Sequence, residues 1–251
     1  LFDVLPAHLV ESYLSQNELL YSKIVKSLDP PLDYEILHKA HVVSSHVKNR
    51  PVNLRGSEKR KIIYDIYSSA TGRFTTKKGS FPILNIKKEH RQNIVPNNEI
   101  FVELDYNGAE VRTLLSLSGS RQPEVDIHDW NNQFCLSGEN LSRAEAKKRF
   151  FAWLYNPLKK DLNFEKYYDK TIYRDFYLNE KVRTPFCRVL PVDESRALNY
   201  LLQSTTADIV TEKAYSILKI LGDYKSDLSF TIHDSILLDV DRNEYGIIRK
   251  I

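Results

Sequence analysis

The chain has 251 residues, of which 42% are hydrophobic and 27% are charged, and its formal net charge is only +3. This length allows one large or two modest domains with a proper core. The small net charge excludes a uniformly basic nucleic-acid-binding chain, so any basic surface must be local. Its two cysteines provide neither a disulfide framework nor a metal-ligand spacing, which favours a reducing compartment. No apolar run reaches the roughly 18–20 residues that span a bilayer, so we expect no membrane partner.

The first fifty residues have helical patterning. Apolar side chains recur at helical spacing over Val10–Leu28, and a second helix is expected over Tyr34–Val47. Asp33–Glu35 matches the D-x-E of a metal-dependent exonuclease. It follows two prolines rather than a buried strand, so we do not assign that function.

The next segment is predicted to be short strands and turns. Ile62–Tyr67 has the pattern of a strand, and the loop around Gly72 presents Arg73. The basic run within Lys87–Asn98 is usually a solvated surface in proteins, and a phosphate contact is the alternative.

An apolar strand ending in a carboxylate follows, in the stretch Phe101–Arg112. The strand ends at Asp105 and turns through Asn107-Gly108 into a helix predicted over Ala109–Leu117. A strand is rigid and its end is open to ligands, so Asp105 could hold a metal ion. A helix cap or a solvated side chain is the commoner role for such an acid.

Two further helices carry polar side chains with functional potential. Ile127–Leu136 is predicted as a short helix with His128 near its start, and Ser142 with Glu145 forms a capping box for the next helix. In that helix two basic and two aromatic residues are spaced four positions apart, which places them along one stripe of the helix surface. Arg and Lys bind phosphates and aromatic rings contact a sugar or base, so the stripe could bind a nucleoside triphosphate. A surface stripe with two half-buried rings is the alternative. Its members are Arg143, Lys147, Phe151 and Tyr155.

The last third predicts helices and then a β-hairpin. Phe164–Lys181 and Glu194–Leu221 are predicted helices, and Leu228–Val240 reads as two strands around a tight turn at His233-Asp234. Asp234 could provide a second carboxylate opposite Asp105. Two carboxylates from separate strands that bridge two Mg²⁺ ions are what phosphoryl transfer requires. A turn that uses Asp for its geometry is the alternative.

Three of these stretches, in this order, resemble the family A DNA polymerases of the Pol I type. They match D-Y-x-x-x-E-x-R of motif A, R-x-x-x-K-x-x-x-F-x-x-x-Y of motif B and H-D of motif C. The matching residues are Asp105, Tyr106, Glu110 and Arg112, then Arg143, Lys147, Phe151 and Tyr155, then His233 and Asp234. Further matches are Thr71-Gly72-Arg73, Leu84-Asn85-Ile86, Asp126-Ile127-His128 and Gln203–Ile209, so the resemblance covers about residues 62–241.

The resemblance implies an α+β right-hand polymerase with an antiparallel palm sheet, helical fingers and a reduced helical thumb. Residues 1–60 would be a partial thumb or helical segment, 61–125 and 182–251 the two parts of the palm, and 126–181 the fingers. The implied reaction adds dNTPs to a primer 3′ end on primer–template DNA, in replication or repair. The implied location is the cytoplasm of a bacterial host or phage-infected cell, with an organellar origin left open.

The resemblance also implies residue roles. Asp105 and Asp234, assisted by the Tyr106 carbonyl, would hold two Mg²⁺ ions, with Mn²⁺ as a substitute, and Lys147 would protonate the leaving pyrophosphate. Glu110 would lie under the sugar and exclude a 2′-hydroxyl. The implied nucleotide-binding set is Glu110, His128, Arg143, Lys147, Phe151 and Tyr155. The implied DNA-binding set is Arg73, Asn85, Asn199, Gln203 and His233.

Two rival functions share much of this pattern. A single-subunit RNA polymerase has all three motifs, but Glu110 as a sugar gate argues against it. A non-catalytic nucleic-acid-binding replisome protein of the same fold has no need of Asp105, Lys147 and Asp234 together. The chain departs from the family at Ser235, where an acidic residue usually follows H-D, so a third carboxylate is missing.

Overall fold

The computed structural model describes residues 6–251, which divide into two compact units, one ending at Tyr34 and the other spanning Glu35–Ile251. The first contains helix α1 (Ala7–Ser27), which confirms the helix predicted there and has no buried side chain. Within the described residues, no helix combines the length and the apolar composition that crossing a bilayer requires.

The remaining described helices are mostly short, and two of them are long. They are α2 (Tyr34–Asn49), α3 (Lys88–Arg91), α4 (Ala109–Leu117), α5 (Ile127–Trp130) with a π-helix (Asn131–Cys135), α6 (Arg143–Leu154), α7 (Leu162–Glu165), a 3₁₀ helix (Lys170–Phe176), α8 (Glu194–Ile220), a second 3₁₀ helix (Arg242–Glu244) and α9 (Tyr245–Ile248). The predicted capping box is confirmed, because the Ser142 side chain accepts from the Glu145 backbone and Glu145 accepts from Ser142 in return.

The strands form small antiparallel sheets. They are β1 (Val52–Leu54), β2 (Glu58–Arg60), β3 (Tyr64–Asp65), β4 (Thr75–Thr76), β5 (Ile94–Val95), β6 (Ile100–Asp105), β7 (Tyr177–Leu178), β8 (Lys181–Arg183), β9 (Val189–Pro191), β10 (Asp227–Ile232) and β11 (Ser235–Val240). The strand orders are β2-β1-β5, β3-β4, β7-β8-β9 and β10-β11-β6. The mixture of helices with antiparallel sheets agrees with the predicted α+β class.

The β10-β11-β6 sheet positions the candidate site. Its hairpin confirms the two strands predicted over Leu228–Val240, with a two-residue turn at His233-Asp234. β11 then pairs with β6 so that Ser235 lies opposite Asp105. The end of β6 and the hairpin turn therefore meet at one edge of the sheet.

Helix α8 runs through the apolar interior. Val210 and Ala214 belong to the core under the β10-β11-β6 sheet, and Leu202 belongs to a helical core with the fully buried Phe150. Leu201 packs in a third core with β8 and β9. A helix of 27 residues that is apolar on several faces is typical of a buried position.

The helix predicted over Phe164–Lys181 is wrong. The segment instead contains the end of α7, a 3₁₀ helix, strand β7 and the first residue of β8. Asn179 and Glu180 have φ values of 52° and 57°, and they make the two-residue turn between β7 and β8. Consecutive left-handed residues are typical of a tight hairpin turn, which interrupts any helix. The strand predicted over Ile62–Tyr67 is also shorter, since only β3 forms there.

Candidate active site

The two predicted carboxylates lie at adjacent strand ends. Asp105 is the last residue of β6, and Asp234 immediately precedes Ser235, the residue opposite Asp105. His233 has a left-handed φ of 54°, which directs the chain through the turn. Asp105 and Asp234 both line a cavity of about 510 Å³.

This cavity gathers most of the residues singled out from the sequence. Tyr155 does not line the cavity, but its hydroxyl donates to Glu110, which does. Asn85 is exposed and does not line the cavity. Gln203 donates to Asn199, and neither lines the cavity. The residues that do line it are Arg73, Asp105, Tyr106, Glu110, His128, Arg143, Lys147, Phe151, His233 and Asp234.

The carboxylate edge of the cavity has uncompensated negative charge. Burial raises the pKa of Asp234, and the charge of Asp105 adds to the increase. Within residues 6–251, no Lys, Arg or His nitrogen lies within 4.0 Å of either carboxylate. No group of three or more His, Cys, Asp or Glu suited to a metal occurs in that part of the chain. Oxygen ligands with net negative charge fit a hard divalent cation such as Mg²⁺.

The cavity is also lined by two cationic side chains of α6, Arg143 and Lys147. Lys147 is exposed, has no carboxylate within 4.0 Å among the described residues, and its Nζ lies 5.9 Å from the centroid of the Phe151 ring. Arg143 is paired, through a hydrogen bond of 2.6 Å to Asp126 and an ion pair of 3.2 Å with Asp129. α6 thus presents to the cavity an ammonium group without a carboxylate partner among the described residues and a guanidinium group that is paired with Asp126 and Asp129.

The Asp126 carboxylate accepts hydrogen bonds both from the start of α5 and from Arg143. Its carboxylate accepts from the backbone of His128 and Asp129 and from the side chains of Arg143 and Asn107. Burial alone would raise the pKa of Asp126, but the hydrogen bonds from Arg143 and Asn107 outweigh it and hold that pKa well below its usual range. Asp126 therefore remains ionised and fixes the position of His128.

His128 is buried and incompletely satisfied. It is 3% exposed, and its Nδ1 has no hydrogen-bond partner among the described residues. Burial lowers the pKa of His128, and the positive charge of Lys147 lowers it further, which favours the neutral ring. A buried polar atom without a partner is costly. A ligand in the cavity could supply that partner.

Glu110 connects three elements. One carboxylate oxygen accepts from Arg73, next to β4, and the other accepts from the Tyr155 hydroxyl at the end of α6. The Tyr155 ring is stacked on Phe151 at 5.8 Å and 14°. Burial raises the pKa of Tyr155, and the charge of Glu110 raises it further, so the phenol remains a donor.

Gly108 allows the strand to turn closely into α4. Its φ is 65°, and a Cβ added there would lie 2.3 Å from Cγ2 of Ile127. Asn107 continues the turn by accepting from the Ile127 backbone at 2.8 Å. The predicted Asn107-Gly108 turn is therefore confirmed, and it brings α5 and His128 against the carboxylate edge.

Sequence patterns did not assign a role to the residues that support this site. Arg188 donates to Asp208 beneath Gly72, and Asp126 fixes Arg143. The offset of Asp126 two residues before His128 is a sequence signal for an N-cap. Nothing in the local sequence around Arg188 indicates its partner, because the contact is made in the tertiary fold.

Comparisons with known proteins relate the chain to a polymerase through its fold. No protein-family model matches it, and no curated protein does so by sequence. Among solved structures, the chain is similar to the POL domain of Pol1 from M. smegmatis in complex with DNA primer-template and dNTP, with a TM-score of 0.61 and 17% identity. The match covers 86% of this chain and 47% of that one, so this chain spans about half its length. At this identity the likeness shows a shared fold.

Proposed function

We propose that this chain is a template-directed DNA polymerase that adds dNTPs to a primer 3′ end. The observation that carries the proposal is the cavity itself, which is lined both by the carboxylates of Asp105 and Asp234 and by Lys147. A deoxynucleoside triphosphate has the complementary charges, because divalent cations accompany its phosphates and its oxygens accept from an ammonium group.

Asp105 and Asp234 would hold the cations, as their oxygen ligands and unneutralised charge fit. Two bound Mg²⁺ ions supply charge neutralisation for the attacking 3′-oxygen and the departing pyrophosphate. The assistance of the Tyr106 carbonyl belongs to the proposal. Lys147 would bind the triphosphate and deliver a proton to pyrophosphate, and His128 would donate to a phosphate oxygen. The protein's contribution is positioning and electrostatic stabilisation.

The other cavity residues fit a nucleotide and a primer terminus. Phe151 presents a ring beside Lys147, which suits a sugar face, and Tyr155 would lie near the template base. Arg143 would move from its acids to the triphosphate. Glu110, held on both oxygens, would occupy the space below the sugar and disfavour a 2′-hydroxyl. Arg73 and His233 line the same cavity and would contact the primer end; Asn85, Asn199 and Gln203 would follow the duplex outside it.

In this proposal the β10-β11-β6 sheet is the palm, formed from residues 61–125 and 182–251. Residues 126–181, with α5, α6 and their aromatic core, are the fingers. Residues 1–60 are a reduced thumb. The likeness in fold to the POL domain of M. smegmatis Pol1 supports a polymerase architecture, and the ligands in that structure support primer–template DNA and dNTPs as partners.

Primer extension with Mg²⁺ tests the proposal. The informative variant is Asp234→Asn, because burial and Asp105 raise the pKa of Asp234, so removing its charge should leave the metal-free protein at least as stable. We expect extension with dNTPs by the intact chain, no extension by Asp234→Asn, and an unchanged or higher melting temperature for the variant.

Other outcomes separate the rival functions. Extension that prefers rNTPs would assign RNA synthesis and refute Glu110 as a sugar gate. Primer–template binding without extension, at any Mg²⁺ or Mn²⁺ concentration, would contradict the catalytic proposal and favour a non-catalytic replisome protein.

A further inference from the structure

Ser235 lies directly against one of the two carboxylates. It is the β11 residue opposite Asp105 in the antiparallel register, and its Oγ donates to Oδ1 of Asp105 at 2.8 Å. Ser235 is only 7% exposed, whereas Asp105 is exposed at the strand end. A buried, strand-held donor thus contacts a carboxylate that has few other constraints.

The hydrogen bond restricts how the Asp105 side chain can rotate. Ser235 is fixed by the ladder on β11, so its hydroxyl holds Oδ1 of Asp105 beside that strand. A cation that binds Asp105 and Asp234 then meets a carboxylate that is already oriented. Residues that hydrogen-bond to a metal ligand in this way tune its affinity without contacting the metal.

The hydroxyl also limits the negative charge at the edge of the sheet. Asp105 and Asp234 already place two carboxylates at this edge, so a third carboxylate beside them would add repulsion. A serine instead contributes a neutral hydroxyl that donates to Asp105. The site therefore gains order at this position rather than charge.

We infer that Ser235 is a positioning residue that holds the Asp105 carboxylate in the orientation that binds the catalytic cations. This inference rests on the proposed function, since it assigns Asp105 to cation binding. Ser235 stands where a third carboxylate is missing, and the inference gives it the role of orienting Asp105 instead of binding a cation.

The test is the direct binding of Mn²⁺ to the full chain in the absence of DNA and nucleotide. Electron paramagnetic resonance measures the binding. Ser235→Ala removes the donor, and we expect Mn²⁺ affinity to fall about tenfold, within the 10–100-fold range for partners of metal ligands. Ser235→Thr keeps a hydroxyl on a residue that suits strands, and its affinity should stay within about threefold of the intact chain.

Ser229→Ala is the matched control, because it removes a serine hydroxyl from the neighbouring strand β10 at a similarly buried position, 9% exposed. Its Mn²⁺ affinity should equal that of the intact chain. In primer extension, Ser235→Ala should raise the half-saturating Mg²⁺ concentration about tenfold, while kcat at saturating Mg²⁺ changes less than threefold.

A purely structural role for Ser235 gives a different result. Ser235→Ala would then lower the melting temperature but bind Mn²⁺ as tightly as the intact chain, which overturns the inference. If the intact chain binds Mn²⁺ in a Ser235-dependent manner but extends no primer, the proposed function fails and the positioning role survives. If it extends primers and Ser235→Ala changes neither affinity nor Mg²⁺ dependence, the positioning role alone fails. If the intact chain neither binds Mn²⁺ nor extends a primer, both fail.

Discussion

Arg188 donates through Nε to both carboxylate oxygens of Asp208, at 2.9 Å each, and the Asp208 side chain is completely buried. The pair joins α8 to the residue that precedes β9. Its guanidinium also lies under Gly72, where an added Cβ would come within 2.8 Å of Cζ. The loop that presents Arg73 to the cavity therefore rests on a buried ion pair.

Breaking this pair should destabilise the protein strongly. Asp208→Asn leaves the Arg188 charge buried without its counter-charge, and we expect a decrease of about 3–5 kcal/mol in the free energy of unfolding, measured by urea denaturation. Asp193→Asn is the control, because its pair with Arg196 is exposed and should contribute less than about 1 kcal/mol. Equal decreases in the two variants would show that burial of the Arg188–Asp208 pair has no special consequence.

The hydroxyl of Tyr155 should influence the choice of sugar. Tyr155→Phe removes the donor to Glu110 but keeps the ring stacked on Phe151. A hydrogen bond to a charged group contributes roughly 1.5–3 kcal/mol, so the ratio of kcat/KM for dNTP over rNTP should fall about tenfold.

Tyr168→Phe serves as the control for that experiment. It also removes a buried tyrosine hydroxyl, here one that donates to Asn131 in the helical core, away from the cavity wall. It should lower stability without altering the dNTP-to-rNTP ratio. An unchanged ratio in Tyr155→Phe would separate Tyr155 from sugar selection.

His128 should make the stability of the protein fall in mild acid. Burial and then Lys147 lower the pKa of His128 below its ordinary value of 6.5, so the unfolded chain takes up a proton before the folded chain does. This contribution to stability is complete above pH 6.5 and is lost as the pH falls towards the folded pKa. We expect His128→Gln to flatten the decline between pH 7 and 5.5, by at most one proton, or about 1.4 kcal/mol per pH unit.

Urea denaturation in metal-free buffer across this range measures the effect. His46 has a pKa lowered by burial and by Arg50, so it contributes in the same sense. His46→Gln combined with His128→Gln should therefore flatten the profile further than either change alone. A profile for His128→Gln that is parallel to that of the intact chain would contradict a buried neutral imidazole.

Primer–template binding should depend on salt through one segment of the chain. Residues 51–93 contain ten Lys and Arg against three Asp and Glu, so the formal net charge of this segment is +7 and that of the rest of the chain is −4. Two backbone hydrogen bonds, from Lys77 to Ile63 and from Phe81 to Lys61, bring its basic turns together. Exposed cations with no carboxylate within 4.0 Å in the described part of this segment are Arg55, Lys59, Lys61, Lys77 and Lys78.

The triple change Lys59→Gln, Lys61→Gln and Lys77→Gln should reduce the slope of log K against log salt by about 0.9 for each DNA phosphate that is no longer neutralised by a lysine. Fluorescence anisotropy with labelled primer–template at several salt concentrations gives that slope. The charge-matched triple Lys213→Gln, Lys219→Gln and Lys250→Gln should leave the slope near that of the intact chain. If both triples reduced it equally, binding would depend on total charge rather than on this segment.

Local sequence patterns predicted the elements whose determinants are local. The capping box at Ser142 and the hairpin around His233-Asp234 each depend on a few neighbouring residues. Phe164–Lys181 could not be assigned from its helix-compatible composition, because left-handed residues at Asn179 and Glu180 end the helical pattern. The contact of Ser235 with Asp105 depends on strand register across 130 positions, which no local pattern contains.

Helix α8 has a thermodynamic consequence for the unit Glu35–Ile251. Leu201, Leu202 and Val210 each belong to a different apolar core, so none of these cores can melt while α8 remains packed on the other two. The β10-β11-β6 strands and the aromatic helical core should then lose structure together. Heating should give coincident transitions by circular dichroism and by the fluorescence of Trp130 and Trp153, as expected for one cooperative folding unit.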